Sequence, residues 1–243
     1  MRLNTQFPAA IEATHRATPQ VAARKLYDAW HSRYEVDVEA DSPLHRMVKA
    51  NISEKDLASK NVLEIGCGRG GFSCWLARQP HTPSRIFATD FSSIAVEKGE
   101  RAAHALNLTG IEWRVGDIHA IGHPDESFDT VVSCETMERV QHPRQALAEL
   151  ARVLKPGGRL FLTTPNYFGI MGLYRLYLRV RRRTFAEEGQ PIKHFLPPPR
   201  TRRWVTFPGR PMLLMPFLEQ WAALRYWFGS HSLIVAEKTV RQP

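Results

Sequence analysis

A glycine-rich stretch, VLEIGCGRGGFS at residues 62–73, follows an apolar run and has an acid, Glu64, two residues before its first glycine. Glycine permits positive φ and lets a ligand touch the backbone. Gly66, Gly68 and Gly71 match the G-x-G-x-x-G spacing of dinucleotide-binding loops, whereas the Lys-Ser/Thr of a phosphate loop does not follow. The stretch therefore predicts a ligand-binding loop, but leaves a phosphate, a dinucleotide and an adenosyl group open as ligands.

Two more acids follow apolar runs. Asp90 lies in ATDFS and Asp117 in VGDIHAI. A carboxylate at Asp90 can accept hydrogen bonds from two ribose hydroxyls, and one at Asp117 can accept from an adenine amino group. Three acids without a dedicated phosphate-binding group suit a ligand with ribose, adenine and a positive charge, and S-adenosylmethionine is such a ligand.

The elements that would position these acids alternate between strand and helix. The predicted strands are NVLEI, RIFAT, IEWRV, FDTVVS and RLFLTT, and the helices between them start at about Gly71, Ser92 and Pro143. Such alternation predicts a parallel sheet covered by helices on both faces, with ligands bound beyond the carboxyl ends of its strands. Residues 1–60 read as mostly helical, PFLEQWAALRYWF reads as a helix, and HSLIVAEK reads as a last strand.

Five motifs in order resemble those of class I S-adenosylmethionine-dependent methyltransferases, of the small-molecule branch that includes the ubiquinone-type O-methyltransferases. They cover about residues 60–166 and read VLEIGCGRGGFS, ATDFS, GDIHAI, FDTVVSCETMERV and ELARVLKPGGRLFLTTPN. The resemblance implies a Rossmann-like α/β doubly wound sheet of about seven mostly parallel strands, the last antiparallel. It also implies an N-terminal helical cap at 1–60, a cofactor-binding core at 61–166, and an acceptor-side lid with C-terminal strands at 167–243.

The resemblance also implies roles for individual residues toward S-adenosylmethionine. The loop from Gly66 through Cys67 and Gly68 to Gly70 should contact the methionine part, with Glu64 holding the loop. Asp90 should bind the ribose, and Phe91 should line the adenine. The other expected cofactor contacts are Asp117 and Ile118 at the adenine edge, and Cys134 and Glu135 at the methionine end.

The chain departs from the family in two places. Relatives often carry Glu-His after the fourth strand, where this chain has Glu138 and Arg139. His194, in PIKHF, is the candidate base because it follows the expected lid and because family members often carry a histidine in that neighbourhood. Glu138 and Tyr167 are weaker alternatives. The sixth strand is also in doubt, because the region before the last strand is short and RWVTF is its only candidate.

Charge, cysteine content and hydropathy limit which partners, metal sites and cellular locations we expect. Residues 1–169 hold 20 basic and 20 acidic side chains, whereas residues 170–243 hold 13 basic and 4 acidic, so the net charge of +9 lies in the last third. Three cysteines with no metal-site spacing favour a reducing compartment, and no metal site is expected. The start has no apolar signal region and no stretch is long enough for a membrane span, so we expect a cytoplasmic protein that can also be membrane-peripheral.

Several functions remain open at this level. The leading one is methyl transfer to a small-molecule acceptor, most simply at oxygen. An apolar and then basic segment, residues 167–183, favours a lipid-linked or anionic acceptor at a membrane surface as an alternative. Other classes are a nicotinamide-dependent oxidoreductase, a catalytically inactive cofactor-binding fold, and a nucleic-acid-binding protein. No nucleic-acid recognition motif is present, so nucleic acid is not an expected partner.

Overall fold

The computed structural model describes residues 19–165, 170–183, 212–214 and 231–239. Its helices are α1 (Pro19–His31), α2 (Pro43–Lys49), α3 (Glu54–Leu57), α4 (Gly71–Ala77), α5 (Ser93–Ala105), α6 (Pro143–Val153) and α7 (Ile170–Val180). Its strands are β1 (Asn61–Ile65), β2 (Arg85–Asp90), β3 (Ile111–Val115), β4 (Phe128–Cys134), β5 (Leu154–Pro165), β6 (Met212–Leu214) and β7 (His231–Lys238).

These strands form one seven-stranded sheet in the order β3-β2-β1-β4-β5-β7-β6. The first five strands pair in parallel, and β7 runs antiparallel to both β5 and β6. This confirms the predicted Rossmann-like sheet. The strand order reverses between β1 and β4, which is where open α/β sheets bind their ligands.

Side chains alternate between the two faces of the sheet along each strand, which explains the two buried apolar clusters. Leu63, Val131 and Leu160 pack with α6 in one buried cluster, whereas their neighbours Val62, Val132 and Phe161 pack with α2, α3 and α4 in the other. Successive side chains of a strand point to opposite faces, so a strand covered on both sides must be apolar at every position. The continuous apolar runs of the sequence are the consequence.

The sixth strand, which was in doubt, is present at Met212–Leu214 and pairs with the last strand. The stretch RWVTF, at residues 203–207, lies outside the described residues, as does the predicted helix at 216–228. None of the helices in the described ranges is long and apolar enough to cross a membrane.

The N-terminal segment covers the carboxyl edge of the sheet. Asp28 of α1 accepts hydrogen bonds from the Ser92 hydroxyl, at 2.5 Å, and from the Ile94 amide, at 3.4 Å, so α1 is tied to the start of α5. The chain after α1 then passes over α4, where a Cβ on Gly71 would lie 2.0 Å from the Asp37 carbonyl oxygen. The division into segments 1–60, 61–166 and 167–243 stays a prediction, since α2 and α3 also pack on the sheet.

Candidate active site

A cavity of about 550 Å³ lies at the carboxyl ends of β1 to β4, beneath the N-terminal helices. Ten of the eleven predicted cofactor residues line it, and these are Glu64, Gly66, Cys67, Gly68, Asp90, Phe91, Asp117, Ile118, Cys134 and Glu135. The sheet brings them together because the ends of its parallel strands meet at one edge. Asp90, for example, pairs in register with Val115, so β2 and β3 end side by side.

The glycine loop bends sharply after β1. Its first two amide groups, from Gly66 and Cys67, donate to the Thr89 carbonyl at 2.8 and 3.1 Å. Gly66 has φ +75°, and a Cβ there would lie 2.1 Å from Thr136 Oγ1, so the close approach of the loop after β4 requires glycine. Gly68 has φ +52°, and a Cβ there would meet only His31 Cε1, in ordinary contact at 3.5 Å. The loop therefore exposes bare backbone to the cavity at Gly68.

Gly70 is the one predicted cofactor residue that does not line the cavity. It precedes α4 with φ +74°, and a Cβ there would lie 2.1 Å from Cη2 of Trp113. Its missing side chain makes room for that indole ring, which also lies against Gly99. A glycine at position 70 is thus required by the packing of Trp113 beside the loop, and the expected contact of the Gly70 backbone with the cofactor stays a prediction.

The Asp90 carboxylate holds the loop from the opposite side. Its Oδ2 accepts from the Gly68 amide at 2.8 Å, and its Oδ1 accepts from the Ser92 amide at 2.8 Å. The cap of α5 is Ser92, whose hydroxyl accepts from the Ala95 amide at 3.1 Å. Asp90 therefore holds the glycine loop, whereas Ser92 caps α5. Burial raises the pKa of Asp90, although these amides favour its charged form.

Glu64 is buried at the end of β1, with only 2% of its surface exposed, and accepts a hydrogen bond from the Ser73 hydroxyl. Burial raises the pKa of Glu64 to about 8, and the nearby charge of Asp90 adds to that rise. Burial likewise raises the pKa of the Cys67 and Cys134 thiols. Both cysteines are therefore neutral wall residues rather than nucleophiles.

The acid predicted at the adenine edge is fixed by a histidine. Asp117 Oδ1 accepts from the His119 amide at 2.9 Å and lies 2.6 Å from His119 Nδ1. His119 Nε2 in turn accepts from the His142 amide at 3.2 Å. Because an accepting Nε2 carries no hydrogen, the hydrogen of the neutral ring lies on Nδ1 and points at Asp117.

Helices α1 and α2 and the loop between them supply the opposite wall, with Tyr27, Trp30, His31, Asp37, Leu44 and His45. Arg69 of the glycine loop binds this wall. Its Nε donates to the Glu35 carbonyl at 2.8 Å, its Nη1 lies 3.3 Å from His31 Nδ1, and its guanidinium lies 5.2 Å from the Trp30 ring. Burial, followed by the charge of Arg69, lowers the pKa of His31 to about 4, so His31 is neutral at physiological pH.

The segment after β4 shows what replaces the Glu-His of relatives. Arg139 lines the cavity, donates to the Glu135 carbonyl at 2.9 Å, and lies 3.3 Å from Glu138 Oε1. Glu138 is fully buried and does not line the cavity. Arginine only donates hydrogen bonds, so this position cannot supply a base. The other base candidates, His194 and Tyr167, lie outside the described residues and stay predictions.

Charge decides what the cavity can hold. Besides Glu64, which keeps its proton at neutral pH, the cavity is lined by four acids and two arginines. The acids are Asp37, Asp90, Asp117 and Glu135, and the arginines are Arg69 and Arg139. A poorly solvated site with excess negative charge favours a cationic ligand. S-adenosylmethionine carries a positive sulfur, so the residues present fit it. Within the described ranges, no group of three or more His, Cys, Asp or Glu side chains could hold a metal ion.

Sequence reasoning missed the wall formed by the N-terminal helices. Tyr27, His31 and His45 precede the glycine loop by more than 20 residues and belong to no motif. Arg69 and His119 lie inside the recognised motifs, and only their polar side chains could have indicated that they line the cavity.

Comparison with known proteins agrees with this geometry. A family model described as a methyltransferase domain matches residues 63–162. The chain is 33% identical over 129 residues to phthiotriol/phenolphthiotriol dimycocerosates methyltransferase 1 of Mycobacterium ulcerans, covering 53% of this chain and 46% of that protein. It is 29% identical over 180 residues to the malonyl-[acyl-carrier protein] O-methyltransferase of Paenibacillus sp. (strain JDR-2), covering 70% and 63%. The chain thus spans about half the length of these curated relatives.

A solved S-adenosylmethionine-dependent methyltransferase from Mesorhizobium loti shares the fold, with a TM-score of 0.58 and 16% identity, covering 79% of this chain and 96% of that one. The ubiquinone-type branch stays a prediction. The motif order, the sheet topology and the match over residues 63–162 together identify a class I S-adenosylmethionine-dependent methyltransferase domain in this chain.

Proposed function

We propose that the protein transfers the methyl group of S-adenosylmethionine to a small-molecule acceptor, at an oxygen atom. The observation that carries the proposal is the acidic cavity at the carboxyl ends of β1 to β4, floored by the bare backbone of Gly68. A relative named as an O-methyltransferase aligns with 70% of the chain, which supports oxygen as the methylated atom.

Each wall residue has a distinct part in this proposal. Asp90 binds the ribose while holding the Gly68 amide, and Asp117 accepts from the adenine amino group. Phe91 and Ile118 cover the adenine faces. Bound S-adenosylmethionine would supply a methyl group on a positive sulfur, which an in-line acceptor oxygen would displace. The part of the protein would then be to hold the two reactants in line and exclude water.

Calorimetric binding of S-adenosylmethionine tests the cofactor, and Gly68→Val is the informative variant. A branched side chain at φ +52° is strained and would enter the cavity, so we expect binding to be lost. Gly110→Val is the matched control, because Gly110 has φ +80° with nothing within 4 Å of a Cβ. It should be strained as well, yet bind normally.

Undiminished binding by Gly68→Val would refute the proposed loop geometry. A rise in melting temperature with NAD but not with S-adenosylmethionine would favour the oxidoreductase alternative instead. Turnover of the cofactor with any acceptor would exclude a catalytically inactive fold.

We also propose that the acceptor is held at an anionic membrane surface, which α7 contacts. Leu173, Leu176, Tyr177 and Val180 recur at helical spacing, and their exposed fractions are 68, 59, 52 and 75%. Such an i, i+3, i+4, i+7 stripe normally faces a core, whereas here it faces solvent. Exposed Arg181, Arg182 and Arg183 follow the helix directly.

An exposed apolar stripe that ends in a basic cluster suits an interface with anionic lipid. Each basic residue near such a surface contributes about 1 kcal/mol. Co-sedimentation with phosphatidylserine-containing vesicles should therefore fall when Arg181, Arg182 and Arg183 are all changed to Gln, and also at 1 M salt. Changing Arg33, Arg46 and Arg101 to Gln removes equal charge elsewhere and should leave binding intact. Absence of vesicle binding by the unmodified protein at low salt would refute the membrane proposal.

A further inference from the structure

His31, the last residue of α1, lies over the bare backbone of the glycine loop. It lines the cavity although only 7% of its surface is exposed. Its ring carbon Cε1 lies 3.5 Å from the place that a Cβ on Gly68 would occupy. Both ring nitrogens are bonded to Cε1, so they lie close to the part of the loop that we expect the methionine end of the cofactor to contact.

The imidazole ring is held in place by the anchoring of α1. Asp28, one turn earlier on this helix, is tied to the start of α5 by hydrogen bonds. Just after the helix, Lys98 of α5 donates to the Tyr34 carbonyl at 2.7 Å. The His31 ring itself lies edge-on to the Trp30 ring, with a centroid distance of 4.7 Å and an interplanar angle of 83°. The ring is therefore preorganised, and a ligand group has to come to it.

The contact with Arg69 decides which ring nitrogen carries the hydrogen. Arg69 Nη1 lies 3.3 Å from His31 Nδ1, and a guanidinium group only donates hydrogen bonds, so Nδ1 is the acceptor. Burial, followed by the charge of Arg69, lowers the pKa of His31 to about 4. The ring is therefore neutral and carries a single hydrogen, which lies on Nε2.

This Nε2–H group is a donor that the protein leaves available. In the parts of the chain that the structure describes, no hydrogen bond or ion pair joins His31 Nε2 to another group. The nitrogen is also absent from the fully buried side-chain atoms that lack a partner, so it keeps accessible surface. An accessible donor on an otherwise buried ring in the cavity wall suits a ligand that accepts a hydrogen bond.

The methionine part of S-adenosylmethionine ends in an ammonium group and a carboxylate group. The acids of the cavity wall accept hydrogen bonds and suit the ammonium group, but they repel the carboxylate. The carboxylate needs donors, and the Gly68 amide already donates to Asp90. We propose that His31 is a cofactor-binding residue whose Nε2–H donates a hydrogen bond to this carboxylate. The assignment rests on the proposed function and adds a residue that belongs to none of the sequence motifs.

Decarboxylated S-adenosylmethionine is the probe that isolates this contact, because it lacks only the carboxylate. Calorimetry on the whole chain should show at least tenfold weaker binding of S-adenosylmethionine to His31→Phe, which keeps a ring beside Trp30 without the donor. The affinity of the same variant for the decarboxylated probe should stay within twofold of that of the unmodified protein. His31→Gln puts an amide nitrogen close to the Nε2 position and should recover part of the loss.

His123→Phe is the matched control. The His123 ring also lies edge-on to aromatic rings, those of Phe87 and Phe128, but His123 does not line the cavity. This variant should bind both ligands as the unmodified protein does. Nitrogen-15 labelling of the histidine rings gives an independent measurement, in which His31 should carry its hydrogen on Nε2 and the Nε2 resonance should move as S-adenosylmethionine is added.

Equal losses of affinity for the two ligands in His31→Phe would make the ring a structural support and overturn the assignment. An unchanged affinity for S-adenosylmethionine, a hydrogen on Nδ1, or an Nε2 resonance that saturating S-adenosylmethionine leaves in place would also overturn it. If the unmodified protein binds neither ligand, the proposed function fails and the assignment fails with it. Normal binding of S-adenosylmethionine by both the unmodified protein and His31→Phe would refute this inference alone.

Discussion

The buried carboxyl group of Glu64 has a raised pKa, so its effect on stability changes with pH in the direction opposite to that of a salt-bridged glutamate. Burial raises its pKa from 4.5 to about 8, so the folded protein keeps a proton that the unfolded chain has released at neutral pH. The contribution of Glu64 to the free energy of unfolding is therefore fully present below about pH 4.5 and is lost as the pH rises through about 8. Keeping Glu64 therefore destabilises the protein without cofactor at neutral pH.

The variant Glu64→Gln removes this penalty and keeps an oxygen to accept from Ser73. Each pKa unit corresponds to about 1.36 kcal/mol of free energy. Because pH 7 is about 2.5 units above the pKa of Glu64 in the unfolded chain, the substitution can stabilise the protein by at most about 3 kcal/mol. Urea unfolding without cofactor should show a raised midpoint at pH 7 and nearly equal midpoints for the two proteins at pH 4.5.

Glu149 is the matched control because its pKa is shifted the other way. The hydrogen bond from Arg152 lowers the pKa of Glu149, so its contribution is present above the unfolded pKa and is lost as the pH falls. Glu149→Gln should therefore destabilise the protein at pH 7. A Glu64→Gln protein that is less stable than the unmodified protein at pH 7, or a difference that does not change with pH, would refute the reasoning.

Two further predictions concern Asp90 at the cofactor loop and the buried ion pair between Arg159 and Asp56. Asp90→Ala should raise the dissociation constant of S-adenosylmethionine about 10- to 100-fold, since a hydrogen bond to a charged group contributes about 1.5–3 kcal/mol. Ser92→Ala removes the α5 cap and the hydrogen bond to Asp28 but leaves the Asp90 carboxylate in place. It should change the calorimetric affinity less than twofold, and equal effects of the two variants would return Asp90 to a structural role. Arg159→Met leaves Asp56, whose carboxylate oxygens lie 2.6 and 2.7 Å from Arg159 Nη1, buried without its cation. It should lower the free energy of unfolding by about 3–5 kcal/mol, and a denaturant midpoint within error of the unmodified protein would contradict this.

Local patterns were sufficient for the sheet and for most of the cofactor wall. The observed β1, β3 and β7 have the predicted bounds. For β1 the reason is that a strand buried on both faces reads as a nearly continuous apolar run. Asp90 and Asp117 were found because each closely follows a predicted strand, and parallel strands end at one edge. The sixth strand could not be located from sequence, since three residues at a sheet edge leave no periodic signal.

The tertiary structure decided what each residue does where the contact joins distant parts of the chain. Gly70 and Gly68 are equivalent in the motif, yet the Trp113 ring occupies the space beside Gly70, whereas Gly68 faces the cavity. Neither periodicity nor spacing encodes that contact, because it depends on how α5 and β3 pack behind the loop. In the same way, the sequence by itself determined a parallel sheet with three acids at its ligand-binding edge. Only the packing of α1 and α2 over that edge placed His31 against the glycine loop and His45 on Phe72 of α4, and burial there, which no local pattern reports, made both rings neutral.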